Sequence, residues 1–293
     1  MAVSRDRQPS SPESAGQEAG AAIKRAASHP GLELLERVGY VARGVLYMVM
    51  GFLALRIALG TGGGQATDLT GSLVYLIGRP FGRLILGAMI IGLVAYAIWG
   101  VVRAVFDPLH RGKDASGWMA RLGFLSSAAS YGAIAFFGIR VLSGTSSTAT
   151  GDTTQKTVAS ILAHPLGGAI TIVIGLVAIA VAIGQFVETY RATFRHDLKG
   201  AEMSDAERSA VTALGRFGMF ARGVIFLIVG WLVLQAGLQK NPALAHGFGG
   251  AFIVLMAQPY GRVMLAVVAV GVVALGLHSM ACARWIRLMG SSG

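Results

Sequence analysis

Six long apolar runs constrain this chain more than any other feature of its sequence. Each run holds about 20 residues, the length of a helix that crosses the hydrocarbon core of a bilayer. Lipid offers the backbone no hydrogen-bonding partner outside its own segment, so each run is predicted to be helical. The runs cover residues 38–59, 84–105, 122–142, 166–187, 217–238 and 260–283.

The composition agrees with a membrane protein and excludes two other classes. Hydrophobic residues make up 54% of the chain and charged residues 13%, whereas soluble domains carry about 25% charged residues. The net charge of +11 could indicate a nucleic-acid binder. Such proteins cluster their basic residues on one exposed face, but here these residues lie in short segments between apolar runs. We therefore expect the lipid bilayer, and no nucleic acid, as a partner.

The basic segments predict the orientation of the chain. Most basic residues precede the first run, occupy the second and fourth loops, or follow the last run. They are Arg5, Arg7, Lys24, Arg25, Arg37, Arg111, Lys113, Arg121, Arg191, Arg195, Lys199, Arg208, Arg216, Arg284 and Arg287. Positively charged loops stay in the cytoplasm, so both termini are predicted to be cytoplasmic. Residues 1–30 are polar and lack an apolar stretch, which predicts a disordered cytoplasmic tail.

The first, third and fifth runs repeat one sequence. Aligned on Arg37, Arg121 and Arg216, they read "RVGYVARGVLYMVMGFLALR", "RLGFLSSAASYGAIAFFGIR" and "RFGMFARGVIFLIVGWLVLQ". Small residues recur seven apart, hence on one helix face, where they let membrane helices approach closely. These predicted packing residues are Gly44, Gly51, Ala128, Ala135, Gly223 and Gly230.

The even-numbered runs repeat as well. Pro80, Pro165 and Pro259 each precede a glycine by two residues and follow a short apolar stretch. Proline suits the first turn of a helix, so these prolines are predicted to mark where the chain re-enters the bilayer. We interpret the short stretches as half-helices in the outer interface.

The repeated unit is a hairpin of two spans, and three copies insert the same way up. The predicted repeats cover residues 31–106, 114–190 and 204–289. Parallel repeats are related by an axis along the membrane normal. The predicted fold is therefore an all-α membrane protein with six transmembrane helices around a pseudo-threefold axis.

These motifs resemble a bacterial membrane-protein family known as domain-of-unknown-function family 1206. The resemblance rests on the Arg-x-Gly starts followed by an aromatic residue or Met, the Ala-Arg-Gly triplets at 42–44 and 221–223, and the three Pro-x-Gly motifs. It implies a three-repeat protein of the bacterial inner membrane with no established activity. The second repeat departs from the pattern, because Ser127 takes the place of the triplet arginine.

Arg43 and Arg222 place a charge inside an apolar run. Each lies six residues beyond the first arginine of its repeat, about 9 Å deeper in the membrane. Snorkelling of the long side chain back to the headgroups is the favoured interpretation. The alternatives are an anion or lipid-headgroup site including Tyr47 and the position of Ser127, and an interhelical structural bond. A mid-bilayer charge costs about 2.5–3.5 kcal/mol, so some such compensation is needed.

The sequence contains no catalytic motif, so we do not expect an enzyme. Cys282 is the sole cysteine and His278 is expected to be a packed residue, so neither a metal nor a cofactor is predicted. The predicted function is structural or accessory, with binding of an anionic lipid or another membrane protein. The alternative is a carrier or channel for a small anion through the pseudo-threefold axis.

Overall fold

The chain folds into helices joined by short turns. A computed structural model describes residues 30–61, 69–106, 115–145, 153–198 and 202–285. The α-helices of these ranges are α1 (Pro30–Ala58), α2 (Leu69–Ile77), α3 (Gly82–Phe106), α4 (Ala115–Leu142), α5 (Thr153–Leu162), α6 (Gly167–Arg191), α7 (Asp205–Leu238), α8 (Phe248–Met256) and α9 (Gly261–Trp285). Two short 3₁₀ segments, Thr193–Asp197 and Pro242–Leu244, complete them.

Six of these helices are long and apolar enough to cross a membrane, as the apolar runs predicted. They are α1, α3, α4, α6, α7 and α9. Four of them, α1, α3, α4 and α7, begin earlier than their runs, and α7 continues unbroken for 34 residues from Asp205. The sequence SDAERSA from Ser204 predicts a capping box of Ser204 with Glu207 and a short helix that leads into the fifth run. The capping box is confirmed at the start of α7. The short helix is wrong as a separate element, because no proline interrupts the chain between the cap and the apolar run. Of the predicted tail 1–30, only Pro30 lies within the described residues.

The three prolines lie just before their helices rather than inside the first turn, which corrects the prediction. Each is the second residue of a β-turn, where proline is favoured. The turn before α3 closes with a hydrogen bond from the Gly82 amide to the Arg79 carbonyl, 2.8 Å long. Equivalent bonds precede α6 and α9. A Cβ at Gly82 would collide with the Leu76 carbonyl at the end of α2, so only glycine fits this close approach.

The six spanning helices pack in the order α4, α3, α1, α9, α7, α6. Each helix packs along the next. The short helices α2 and α8 pack against both spans that flank them, whereas α5 packs against α6 and α7. This is the order of a ring of three hairpins, but α4 and α6, the two spans of the second hairpin, do not close it. Accordingly, the most apolar windows of α4 and α6 are 28% and 17% buried, against 56% in α1 and α9. The pseudo-threefold arrangement stays a prediction.

Small residues hold neighbouring hairpins together. The structure places Gly44 and Gly51 of α1 against α9: a Cβ at Gly51 would lie 2.8 Å from the Ala269 carbonyl oxygen. Gly223 and Gly230 of α7 lie against α6 in the same way. The second repeat uses alanine, which needs a glycine opposite it. Ala128 of α4 meets α3, where a Cβ at Gly100 would lie 3.0 Å from its methyl group, and Ala135 is buried.

Candidate functional site

Arg43 lies among three tyrosines from three different helices. Its Nη1 donates a hydrogen bond of 2.6 Å to the Tyr96 hydroxyl of α3. Its guanidinium carbon lies 5.6 Å from the ring centre of Tyr47, 5.4 Å from that of Tyr96 and 5.9 Å from that of Tyr131 on α4. These distances are within the range of cation–π attraction. Arg43 therefore faces the helix bundle, which does not fit the favoured snorkelling interpretation.

The local sequence explains this arrangement. Arg43 and Tyr47 are four residues apart on α1, so both side chains lie on one helix face. The Tyr47 hydroxyl shares a hydrogen bond of 2.9 Å with the Tyr131 hydroxyl. The ring of Tyr96 packs edge-on against Tyr131, with centres 4.8 Å apart, and against Tyr40, with centres 5.5 Å apart. We call Arg43, Tyr47, Tyr96 and Tyr131, together with Arg222, the arginine–tyrosine cluster.

Arg222 joins this cluster from α7. Its guanidinium carbon lies 5.3 Å from the ring centre of Phe226, one turn further along the same helix. Arg222 also interacts electrostatically with Tyr47 and Tyr131. Arg43 and Arg222, which occupy equivalent places in the first and third repeats, therefore act on the same pair of tyrosines. Ser127, at the equivalent place in the second repeat, is partly buried on α4 one turn before Tyr131.

The cluster has positive charge, and no carboxylate is among the described groups that interact most strongly with Arg43. Those groups are Tyr131, Tyr96, Tyr47 and Tyr40, and Arg43 also acts electrostatically on His278. The apolar runs contain no aspartate or glutamate, and Glu188 lies just beyond the fourth run. Within the described part of the chain, the buried Nε atoms of Arg43 and Arg222 have no hydrogen-bond partner. Arg43 and Arg222 are thus two membrane-embedded cations whose Nε donors are available to a ligand.

Four members of this region were not predicted as site residues from sequence. Tyr131, Tyr96 and Tyr40 lie within apolar runs, where aromatic residues are common and carry no signal of their own. Arg103, in the last turn of α3, is buried; its Nη1 donates a bond of 3.3 Å to the Tyr40 hydroxyl, and its guanidinium carbon lies 5.2 Å from the Trp99 ring centre. Its position beside a basic loop made it look like an ordinary positive-inside residue. A count of arginines facing tyrosines at matching depth would have singled it out.

His278 and Glu188 are engaged in local contacts. The buried His278 lies with its Nδ1 3.1 Å from the Val211 carbonyl oxygen and packs edge-on against Phe194. Glu188 accepts hydrogen bonds from the Phe194 amide, at 2.7 Å, and from the Thr193 hydroxyl. In the described ranges no three His, Cys, Asp or Glu side chains come together as metal ligands would.

A second basic feature lies at the surface between α6 and α7. It is an open cleft of about 630 Å³ lined by Phe186, Thr189, Tyr190, Arg216 and Phe220. Arg216 already donates a hydrogen bond of 3.4 Å to the Tyr190 carbonyl. The cleft is exposed and Arg216 already has a hydrogen-bond partner. A bound anion would therefore stabilise this cleft less than it would stabilise the arginine–tyrosine cluster.

The cluster offers the chemistry of anion recognition. Guanidinium groups present planar, paired donors that match phosphate and carboxylate oxygens. Tyrosine hydroxyls add donors in a fixed frame. Arg43 on α1 and Arg222 on α7 act electrostatically on the same two tyrosines, and burial of this region strengthens hydrogen bonds to an anion.

Comparison with known proteins finds a matching family and a relative. The profile of the family described as Domain of Unknown Function (DUF1206) matches residues 38–107, 122–192 and 217–285. A Bacillus subtilis (strain 168) protein, described as Uncharacterized protein YxxB, is 32% identical over 251 residues, which cover 86% of this chain and 90% of that protein. No solved structure matches this chain significantly.

Proposed function

Given that this chain belongs to the DUF1206 family, we propose that it binds a phosphate- or carboxylate-bearing anion at Arg43 and Arg222. The observation that carries this proposal is that Arg43 and Arg222 act on the same tyrosines, while their buried Nε atoms have no hydrogen-bond partner among the described residues. The protein is then an accessory or binding protein that changes no covalent bond in its ligand.

Charge balance supports this proposal. A cation in the bilayer centre costs about 2.5–3.5 kcal/mol, and two nearby cations repel each other. Tyrosine rings and hydroxyls offset part of this cost for Arg43, but they carry no negative charge. A bound anion would remove the repulsion and satisfy the free Nε donors, each through a charge-assisted hydrogen bond.

The setting we propose is the bacterial inner membrane, with both termini in the cytoplasm. The loop charges support this orientation. The cluster then lies in the cytoplasmic half of the bilayer, because Arg43 is six residues, one to two turns, beyond Arg37 at the cytoplasmic edge of the first run. Anionic headgroups and cytoplasmic anions would both be within reach of that depth.

A carrier or channel for a small anion is the weaker candidate. Passage along the centre of the bundle would need a polar file at several depths. The buried Tyr47 and Tyr131 hydroxyls bond to each other, and the fully buried Leu46 and Met50 lie beside Tyr47 on α1. These contacts favour a binding site over a path through the bundle.

Substitution of the arginines tests the proposal. In lipid nanodiscs that contain phosphatidylglycerol, Arg43→Lys and Arg222→Lys should each weaken lipid binding roughly tenfold or more. Lysine keeps the charge but loses the planar fork, and a hydrogen bond to a charged group contributes about 1.5–3 kcal/mol. Native mass spectrometry across a lipid titration would measure the affinity.

Two controls make the result specific. Arg140→Lys changes an exposed arginine at the far end of α4 and should leave the affinity unchanged. Arg222→Ser should remain inserted, because Ser127 fills the equivalent place in the second repeat. Equal affinity of all four variants for phosphatidylglycerol, together with equal binding of phosphatidylcholine, would contradict the proposal.

A further inference from the structure

The two spans of the second hairpin stand apart where those of the other hairpins touch. The glycine two residues after the first arginine of each repeat shows this directly. A Cβ at Gly39 would lie 2.9 Å from the Cβ of Tyr96, and one at Gly218 would lie 2.6 Å from the Cα of Leu275. Both contacts are with the partner span of the same hairpin. A Cβ at Gly123, the glycine of the second repeat, would meet no atom within 4 Å.

The opposite wall of this opening also lacks a side chain that its counterparts have. Nineteen residues after the proline, the first and third repeats carry Trp99 and His278, both buried. The second repeat carries Gly184, which is exposed and has open space around it. Val177, seven residues before Gly184 on the same face of α6, is 57% exposed. We call the opening between α4 and α6, lined by Gly123, Val177 and Gly184, the repeat-2 cleft.

The repeat-2 cleft leads towards the arginine–tyrosine cluster along one side of α4. Gly123, Ser127 and Tyr131 follow each other at intervals of four residues, so they descend one helix face. Their exposure falls in that order, from exposed through partly buried to buried. The ring of Tyr131 then contacts the guanidinium group of Arg43. Ser127 is smaller than an arginine and carries no charge, so it leaves more space along this path.

We propose that the repeat-2 cleft is a lateral opening through which an anionic membrane lipid reaches Arg43 and Arg222. This inference rests on the proposed function and names the source of its anion. The headgroup phosphate binds the two guanidinium groups, and one acyl chain lies in the cleft. The walls favour a lipid over a free anion, because Val173 and Val177 are exposed apolar side chains on the same face of α6 as Gly184, and they gain contacts only from a hydrocarbon chain.

The variant Gly184→Trp tests the opening by giving the second repeat the residue of the first. The side chain points into open space, so the variant should fold with unchanged thermal stability in detergent. Its affinity for long-chain phosphatidylglycerol should fall at least tenfold, because the indole fills the place of the acyl chain. Ile91→Trp is the matched control: Ile91 is exposed on α3, away from the cleft, and its replacement should change nothing.

A soluble competitor separates the two sources of the anion. Glycerol 3-phosphate should compete weakly with phosphatidylglycerol, and its own binding should be the same in Gly184→Trp and the unaltered protein. If Gly184→Trp weakens the binding of neither ligand while Arg43→Lys weakens the binding of both, the lipid path is overturned and the proposed function stands. Loss of neither ligand in Arg43→Lys would overturn the proposed function itself.

Photocrosslinking keeps the inference testable if Gly184→Trp fails to fold. Phosphatidylglycerol with a diazirine on its acyl chain should label the unaltered protein in residues 122–130 of α4 and 173–184 of α6. Label confined to other helices would overturn the proposal. So would protein–protein crosslinks between these two segments of separate copies without a lipid adduct, because a second copy would then fill the cleft.

Discussion

The bond between Arg43 and Tyr96 shows how one buried contact differs from the same contact in water. The Arg43 guanidinium donates to the Tyr96 hydroxyl over 2.6 Å inside the bundle, and the Arg79 guanidinium donates to the Tyr75 hydroxyl over the same distance at the exposed surface. In both pairs the arginine also lies over the tyrosine ring. The environment is therefore the main difference between the pairs, and it decides what loss of the hydroxyl costs.

Removal of the Tyr96 hydroxyl should destabilise the protein. Tyr96→Phe keeps the ring but leaves a donor of Arg43 without its partner, at a cost of about 1–3 kcal/mol in the free energy of unfolding. Tyr75→Phe makes the same change where water can replace the hydroxyl, and should cost less than about 1 kcal/mol. Chemical denaturation in detergent micelles would measure both. Equal effects would mean that Arg43 reaches water in the folded protein.

At the scale of the helix, the glycine faces of α1 and α7 decide how closely neighbouring hairpins pack. A Cβ at Gly51 would meet the Ala269 carbonyl oxygen and the Val273 amide nitrogen of α9 as well as the Val273 side chain, so the α9 backbone itself would have to move. Gly87 of α3 is also a helical glycine, yet a Cβ there would meet no atom within 4 Å. The two positions share the conformational cost of glycine and differ only in their neighbours.

Addition of one methyl group should separate these two cases. Gly51→Ala should lower the free energy of unfolding by about 1–3 kcal/mol, because α1 and α9 must move apart to admit the methyl group. Gly87→Ala should be neutral or stabilise the protein by up to about 1 kcal/mol, because alanine loses less backbone entropy on folding. Thermal unfolding followed by circular dichroism would compare them. A neutral Gly51→Ala would contradict the close contact of the two helices.

At this same scale the sequence predicts the position of the helices better than the turns between them or the contacts that their side chains make. Length and hydropathy locate the six spans, and the Ser204 capping box predicts where α7 begins, because both signals are local. The turns before α3, α6 and α9 follow less well: the residue between proline and glycine, such as Phe81 with φ 59°, adopts a conformation that proline statistics alone do not indicate. The inward direction of Arg43 depends on Tyr96 and Tyr131, 53 and 88 residues away along the chain, so no local pattern contains it.

For the whole molecule, the repeats predict the order of the helices around the bundle but not the opening in it. Three similar hairpins favour three similar contacts, and the glycine and alanine faces make the contact between hairpins three times. The contact within a hairpin is made twice. The sequence difference that accompanies the opening, Gly184 in place of Trp99 or His278, can be read only after the repeats are aligned on their prolines. The structure then shows that this difference accompanies the separation of α4 from α6.

The central claim is that Arg43 and Arg222 hold an anion within the membrane. Electron cryomicroscopy of the protein in phosphatidylglycerol nanodiscs, at a resolution that shows side chains, tests it most directly. The account predicts phosphate-sized density within about 3.5 Å of both guanidinium groups, continuous with a chain of density between α4 and α6. Arginine side chains that extend to the bilayer surface, or that pair with a carboxylate of the protein with no added density, would contradict it.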